Sequence, residues 1–236
     1  MPTPSKQISN LKGQPMFQIL DKCKLLERNG VKVRHFELGD PSFDTPKAVT
    51  HSAIKSLKSG DTHYQSSRGK KEFIESIQLT TKNSRGFTPE KDQITITTGA
   101  NAAIFYAFKA ICDPGDEVLL PNPYFPSYQA AVQLSGAIPC FYSLRAENGF
   151  LPEVDSIKEQ ITSRTKAILI NTPSNPTGAV FSKDHIYQIY KIAVNHDLYL
   201  LSDEVYSRMI FDHDIAFSSP GSYDKCMQRT IIINGF

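Results

Sequence analysis

Short apolar runs alternate with segments of helical spacing from about residue 94 to the last residues of the chain. Strands are predicted at 94–97, 118–120, 137–142, 167–170, 198–201 and 230–233. Helices are predicted at 100–111, 126–135 and 153–161, and a further helix is capped by Ser182. Strands separated by helices are typical of an α/β protein with a mostly parallel central sheet.

The N-terminal part of the chain does not follow this rhythm. Apolar positions at helical spacing predict a helix over 16–29, which Gly30 ends. Two further helices are predicted, one after Thr45-Pro46 and one after Gly69. Because the strand–helix alternation has not begun before residue 46, we expect residues 1–45 to belong to a separate small unit.

Composition narrows the classes of protein that need to be considered. The chain is 40% hydrophobic and 21% charged, which is enough to bury a core. The formal net charge of +2 gives no reason to expect nucleic acid or a membrane surface as a partner. The four cysteines show no CxxC or CxH spacing, so neither a zinc site nor any other metal site is predicted. Free thiols and the lack of a signal-peptide pattern favour the cytoplasm.

Ligands of parallel α/β proteins bind at the carboxyl ends of the strands, so the residues that follow each strand deserve most weight. TTGAN, at 97–101, places a glycine at a predicted helix start, where backbone N–H groups can hold a phosphate. The segment matches neither GxxxxGK[ST] nor GxGxxG, and taken alone an ordinary tight turn is the plainer explanation.

Three other positions after strands could serve chemistry. Phe125 could stack on a flat ligand ring, although core packing is the plainer explanation. Asn175 is held in the proline-rich loop NTPSNPTG, which could present its amide or could simply be a turn. Asp203 ends an apolar run, so its carboxylate needs hydrogen-bond donors or a cation, for which Arg208 is one candidate. A role in capping a helix also remains open for Asp203.

Seven segments taken together resemble the class I/II aminotransferases, which are fold type I, aspartate aminotransferase-like enzymes that depend on pyridoxal phosphate. The segments are LGDPSFDTP at 38–46, HYQSSRG at 63–69, TTGANAAI at 97–104, DPGDEVLLPNPYFPSY at 113–128, NTPSNPTG at 171–178, SDEVY at 202–206 and INGF at 233–236. The resemblance implies a three-layer αβα fold. It also implies that 1–45 form part of a small domain and that 46–236 form a large cofactor-binding domain, incomplete at its C-terminus.

The resemblance also implies roles for particular residues. Gly99, Ala100 and Asn101 would hold the phosphate of pyridoxal 5'-phosphate, and Phe125 would stack on its ring. Asp203 would pair with the protonated ring nitrogen, which supplies the missing cation. Asn175 and Tyr206 would hydrogen-bond the phenolic oxygen.

Other implied roles concern the substrate and a second subunit. Gly39, together with Asn175, would contact the substrate, and Tyr64 would reach the phosphate of a neighbouring subunit in a homodimer. The lysine that forms the Schiff base is expected just after Phe236, so no catalytic residue is assigned within the chain.

The implied reaction moves an amino group between an amino acid and a 2-oxo acid. Another fold type I activity (carbon–sulfur lyase, decarboxylase or cyclase) remains an alternative, as does a truncated chain without activity. The sequence does not select the amino-acid donor.

Overall fold

The computed structural model describes residues 2–9, 11 and 13–235. Its helices are α1 Lys6–Ser9, α2 Pro15–Arg28, α3 Lys47–Lys58, α4 Lys71–Arg85, α5 Ala100–Ile111, α6 Ser127–Ser135, α7 Val154–Glu159, α8 Lys183–Asn195 and α9 Gly221–Asp224. Its strands are β1 Glu117–Asn122, β2 Ile138–Ser143, β3 Thr165–Asn171, β4 Tyr199–Asp203 and β5 Thr230–Ile233.

The five strands form one sheet in the order β2-β1-β3-β4-β5, and every neighbouring pair is parallel. The register aligns the carboxyl ends of the central strands, since Asn171 lies opposite Asp203 and Asp203 lies opposite Ile233. The predicted α/β architecture with a parallel sheet is therefore confirmed. The residues that follow β3, β4 and β5 share one edge of the sheet.

Helices cover both faces of the sheet. Successive strand residues point to opposite faces, so Leu119 and Leu120 belong to two different cores. Leu120, Leu169 and Leu201 pack with residues of α5 and α6, whereas Leu119, Ile168 and Leu200 pack with residues of α7 and α8. This gives the three-layer αβα arrangement that the resemblance implies.

Most predicted elements form close to their expected positions, and one does not. Ser182 caps α8 as predicted, because its Oγ accepts a hydrogen bond from the backbone N–H of His185 at 3.2 Å. The strand predicted at 94–97 is wrong, since these residues are irregular. Ile94 is nevertheless buried. A strand requires a ladder partner, and none of the described strands pairs with this segment.

The composition-based expectations about cysteines and membranes can also be compared with the structure. All four cysteines are free thiols. Among the described residues, no helix has both the length and the apolar character needed to span a bilayer.

The contacts divide the chain into two compact units, residues 11–70 and residues 1–10 together with 71–236. The 11–70 unit contains α2 and α3, and none of its described residues is buried. The larger unit contains the sheet and both cores. The domain boundary that the sequence predicts at 45–46 falls elsewhere than this division and stays a prediction.

Candidate active site

Asn171, the last residue of β3, connects two loops at the carboxyl edge of the sheet. Its Nδ2 donates to the backbone oxygen of Asp203 at 3.1 Å, and its Oδ1 accepts from the backbone N–H of Asn175 at 2.8 Å. A buried amide satisfied on both sides fixes the relative positions of the groups that it bonds. Asn171 was not selected from the sequence, although it belongs to the NTPSNPTG segment.

Asp203 ends β4 with its carboxylate buried, and the whole residue is 5% exposed. Oδ2 accepts a hydrogen bond from the Tyr128 hydroxyl at 2.6 Å, and Oδ1 accepts from the backbone N–H of Val205 at 3.2 Å. Burial raises the pKa of the Asp203 carboxyl, and these two hydrogen bonds oppose the shift. Arg208 is exposed and forms no ion pair with Asp203 in the described part of the chain. Asp203 therefore has donors but no cationic partner among the described residues.

Tyr128 links Asp203 to the predicted stacking residue. It lies on α6 and is 1% exposed, and its ring stands edge-on to Phe125 with 5.7 Å between the centroids. Burial and the nearby Asp203 raise the pKa of the Tyr128 hydroxyl well above its ordinary value, so the hydroxyl keeps its proton as a donor. The sequence analysis did not select Tyr128. Its position three residues after Phe125, at the start of a helix, was the available signal.

Asn175 and Tyr206 are brought together from two different loops. Asn175 Nδ2 donates to the Tyr206 hydroxyl at 3.1 Å, and both residues are half-buried. The loop that carries Asn175 is closed by a hydrogen bond from Gly178 N–H to the Ser174 carbonyl at 2.8 Å. Gly178 has a φ of +73°, a conformation that costs little only for glycine. The loop is thus held by local bonds, and Asn175 is a fixed donor.

Gly99 is the N-cap residue of α5, and no side chain caps the start of this helix in the described part of the chain. Its φ of +100° and ψ of +165° are accessible mainly to glycine, and its carbonyl accepts from Ala103 N–H at 3.2 Å. The backbone N–H groups of Ala100 and Asn101 lie in the first helical turn, where no intrahelical acceptor exists. Ala100 packs against the same core cluster as Phe125, so one set of buried residues supports both the start of α5 and the aromatic ring.

A buried ion pair is formed by Glu204, the residue that follows Asp203. Glu204 is fully buried, and its Oε2 contacts both Nε and Nη2 of Arg85 at 2.6 Å. Its Oε1 accepts hydrogen bonds from Ser202 at 3.0 Å and from Ser219 at 2.6 Å. No local sequence pattern indicates this pair, because Arg85 and Glu204 are 119 positions apart.

Two predicted site residues lie in the 11–70 unit and are described there by themselves. Tyr64 is fully exposed, and a Cβ built on Gly39 would meet nothing within 4 Å. Their predicted contacts, with a neighbouring subunit and with substrate, stay predictions.

A sequence profile of the family described as "Aminotransferase class I and II" matches residues 31–236. The chain belongs to this family. Curated relatives of this class I/II aminotransferase chain include the "Probable aspartate/prephenate aminotransferase" of Aquifex aeolicus, which is 37% identical over 235 residues. They also include the "(5-formylfuran-3-yl)methyl phosphate transaminase" of Methanocaldococcus jannaschii, which is 38% identical over 232 residues. Each alignment covers 98% of this chain and 59% of the relative.

Solved structures give the same result for the fold of this class I/II aminotransferase chain. The aspartate aminotransferase of Thermus thermophilus with maleate superposes with a TM-score of 0.94 at 33% identity. That superposition covers 100% of this chain and 60% of the other. The chain therefore spans about three fifths of the length of the relatives that it matches.

The donor set of the site fits pyridoxal phosphate. Asp203 is a buried carboxylate that lacks a cation among the described residues, and a protonated ring nitrogen would supply one. The first turn of α5 offers backbone N–H groups to a phosphate, and Asn175 and Tyr206 offer polar hydrogens to a phenolic oxygen. The ring nitrogen, the phosphate and the phenolic oxygen of the cofactor thus each have a complementary group among these residues.

Proposed function

We propose that this chain forms the cofactor pocket of a pyridoxal-phosphate-dependent aminotransferase that moves an amino group between an amino acid and a 2-oxo acid. The observation that carries the proposal is Asp203, a buried carboxylate held by Tyr128 and by a backbone N–H. Family membership and the names of the relatives agree with it.

Each pocket residue has a defined task in this proposal. Asp203 holds a proton on the ring nitrogen, and Tyr128 keeps the Asp203 carboxylate in place. Phe125 covers one ring face, and the N–H groups of Ala100 and Asn101 bind the phosphate. When bound, the cofactor supplies an electron-withdrawing ring that stabilises negative charge at the substrate α-carbon.

Further parts of the proposal concern residues and copies outside this pocket. We assign Gly39 to the substrate carboxylate, and Tyr64 to the phosphate of a neighbouring subunit in a cytoplasmic homodimer. The lysine that attaches the cofactor is assigned to sequence that follows Phe236. Reading the coding sequence beyond the Phe236 codon tests that assignment, and the absence of lysine from the next few codons would contradict it.

Binding of pyridoxamine 5'-phosphate to the 236-residue chain tests the pocket separately from the reaction. Pyridoxamine phosphate has no aldehyde, so its affinity does not depend on a lysine. Equilibrium dialysis should show one molecule bound per chain. Asp203→Asn should lower the affinity by about tenfold to a hundredfold, because it removes a charged hydrogen bond.

Two tyrosine variants provide a matched comparison. Tyr128 and Tyr142 are each 1% exposed, and each hydroxyl donates one buried hydrogen bond, to Asp203 Oδ2 and to the Leu169 carbonyl respectively. Tyr128→Phe should weaken the binding of pyridoxamine phosphate, whereas Tyr142→Phe should leave the affinity unchanged. Equal affinities for wild type, Asp203→Asn and Tyr128→Phe would overturn the proposed pocket.

The reaction class needs its own measurement. Amino acids are incubated with a 2-oxo acid and the gene product that carries this sequence, and the products are separated. Exchange of amino group and keto group between the two substrates is expected. Release of sulfide or carbon dioxide without exchange would instead assign a lyase or a decarboxylase.

A further inference from the structure

Three side chains of the 11–70 unit, those of Cys23, Glu27 and Glu37, gather around His35. Its Nδ1 contacts Glu37 Oε1 at 2.6 Å, and its Nε2 contacts Glu27 Oε1 at 2.9 Å. Cys23 lies on α2 one helical turn before Glu27. The ligand atoms of Cys23, His35 and Glu37 all lie within 4.8 Å of one another. A thiol, an imidazole and a carboxylate are therefore clustered closely enough to be considered as ligands of one ion.

A histidine that pairs with two carboxylates would account for part of this cluster. Such an arrangement explains the contacts of Glu27 and Glu37, but it gives the Cys23 sulfur no function. The Glu37 side chain is only 6% exposed, although the chain buries no complete residue within the described part of 11–70. An ion bound between the three groups would engage the sulfur and would neutralise the shielded carboxylate.

We propose that Cys23, His35 and Glu37 bind a zinc ion, and that Glu27 orients His35. Cysteine sulfur, histidine nitrogen and carboxylate oxygen are the usual protein ligands of zinc. Zinc–ligand bonds of about 2.0–2.3 Å place the ligands of one tetrahedral ion about 3–4 Å apart, which small side-chain rotations can achieve here. Water completes the fourth position. Binding releases the Cys23 proton and any proton shared by His35 and Glu37.

Glu27 has a separate task in this site. A metal-bound histidine commonly donates its other ring N–H to a carboxylate, which fixes the tautomer and the ring orientation. The 2.9 Å contact of His35 Nε2 with Glu27 Oε1 has this form when Nδ1 faces the metal and Glu37. Glu27 is thus a positioning residue and does not contact the ion.

Zinc at this position would fasten α2 to the segment 35–37. Free energy of metal binding contributes directly to the stability of a fold that positions the ligands. The effect matters here because no described residue of 11–70 is buried, so the unit has little apolar burial of its own. The spacing of the cysteines predicts no metal ligands, and the site becomes visible only when the helix and the later segment lie together.

Cobalt titration of the 236-residue chain, prepared without a histidine tag, tests the site. Tetrahedral Co²⁺ bound to a thiolate absorbs in the near ultraviolet through charge transfer and in the visible through d–d transitions. Both bands should saturate at one Co²⁺ per chain and should disappear when Zn²⁺ is added. Cys23→Ser should abolish the near-ultraviolet band, whereas Cys140→Ser, a change at a half-buried cysteine of the larger unit, should preserve it.

The remaining variants separate the ligands from the positioning residue. Glu37→Gln and His35→Asn should change the visible bands, because each removes a ligand. Glu27→Gln should preserve the bands and weaken Co²⁺ binding by about tenfold to a hundredfold. A near-ultraviolet band that persists in Cys23→Ser, or no band at one equivalent of Co²⁺, would overturn the proposal.

Thermal unfolding distinguishes a variant that has lost zinc binding from one that fails to fold. Zn²⁺ should raise the Tm of the wild-type chain and of Cys140→Ser, and it should leave the Tm of Cys23→Ser unchanged. Circular dichroism of each metal-free variant verifies that the comparison concerns folded chains. Equal zinc-induced shifts in all three proteins would contradict binding at Cys23.

Discussion

Asp203 shows how a single residue combines a cost in stability with a use in binding. Its carboxylate is buried at the end of β4, where Tyr128 and the Val205 backbone are its hydrogen-bond donors among the described residues. Burial without a cation disfavours the charged form, and the raised pKa of Asp203 expresses that cost. The same property makes the site complementary to a protonated ring nitrogen. In the proposed pocket, the positive charge of that ring nitrogen would offset this cost.

The stability of the cofactor-free chain should therefore depend on pH through Asp203. Because its pKa is higher in the folded chain than the ordinary value of about 3.9, the folded state holds the proton more tightly. This contribution to the free energy of unfolding is present at low pH and is lost as the pH rises through the folded pKa. Asp203→Asn cannot titrate, so its stability relative to wild type should increase across this window, as measured by urea unfolding.

A surface carboxylate provides the control for this measurement. Asp155, whose side chain is 87% exposed, pairs with Lys158, and the stability profile of Asp155→Asn should run parallel to that of the wild-type chain. Parallel pH profiles for wild type and Asp203→Asn would show that Asp203 carries no such cost.

At the scale of elements, the Arg85–Glu204 pair joins the end of α4 to the residue after β4. The side chains are 3% and 0% exposed, and two serine hydroxyls complete the surroundings of the carboxylate. Arg85 also lies over the ring of Phe217, 5.5 Å from its centroid, and its carbonyl accepts from Ser222. One guanidinium thus connects a helix, a strand end and the segment before β5.

Removal of one partner of this pair should be strongly destabilising. Arg85→Met leaves Glu204 buried without its cation, which should cost about 3–5 kcal/mol in the free energy of unfolding. The double variant Arg85→Met with Glu204→Met should lose less than the sum of the single variants, because neither charge is left alone. Urea unfolding of the four proteins measures this coupling.

The exposed pair of Lys158 and Asp155 serves as the comparison for that cycle. Its side chains are 50% and 87% exposed, so Lys158→Met should change the free energy of unfolding by no more than about 0.5 kcal/mol. An additive cycle at Arg85 and Glu204 would mean that the buried contact contributes no coupling.

On the scale of the whole molecule, the two units differ in how they are stabilised. The larger unit buries Leu119, Leu169 and Leu200 completely between helical layers. In the described part of 11–70 no residue is buried, and Phe36 and Phe43 are 91% and 79% exposed. Short-range ion pairs, such as that of Asp61 with Lys70, are among the contacts of this unit.

Hydrogen exchange should reflect this difference directly. Amides of β1, β3 and β4 should exchange most slowly, because their opening requires the loss of both cores. Peptides from 11–70 should exchange by local opening and become labelled much earlier. Mass spectrometry of the 236-residue chain measures both sets in one experiment, and equal protection of the two units would contradict the prediction.

Much of the larger unit follows from local patterns in the sequence. Apolar runs such as 167–170 predict strands, and Ser182 marks the start of α8, because periodicity and capping depend on near neighbours. The strand predicted at 94–97 failed because a ladder needs a partner that local pattern does not reveal. Tyr128 and Arg85 were not selected from the sequence for the same reason, since their partners Asp203 and Glu204 are distant in the chain.

Local patterns in the chain were enough to predict the α/β class, the parallel sheet and the segments that mark the aminotransferase family. Folding was needed to show that Tyr128 donates to Asp203, that Arg85 neutralises Glu204 and that Cys23 lies beside His35. The physical reason is the range of the interactions. Strand and helix preferences act over a few residues, whereas hydrogen bonds, ion pairs and metal sites form between side chains that only packing of the folded chain brings within reach.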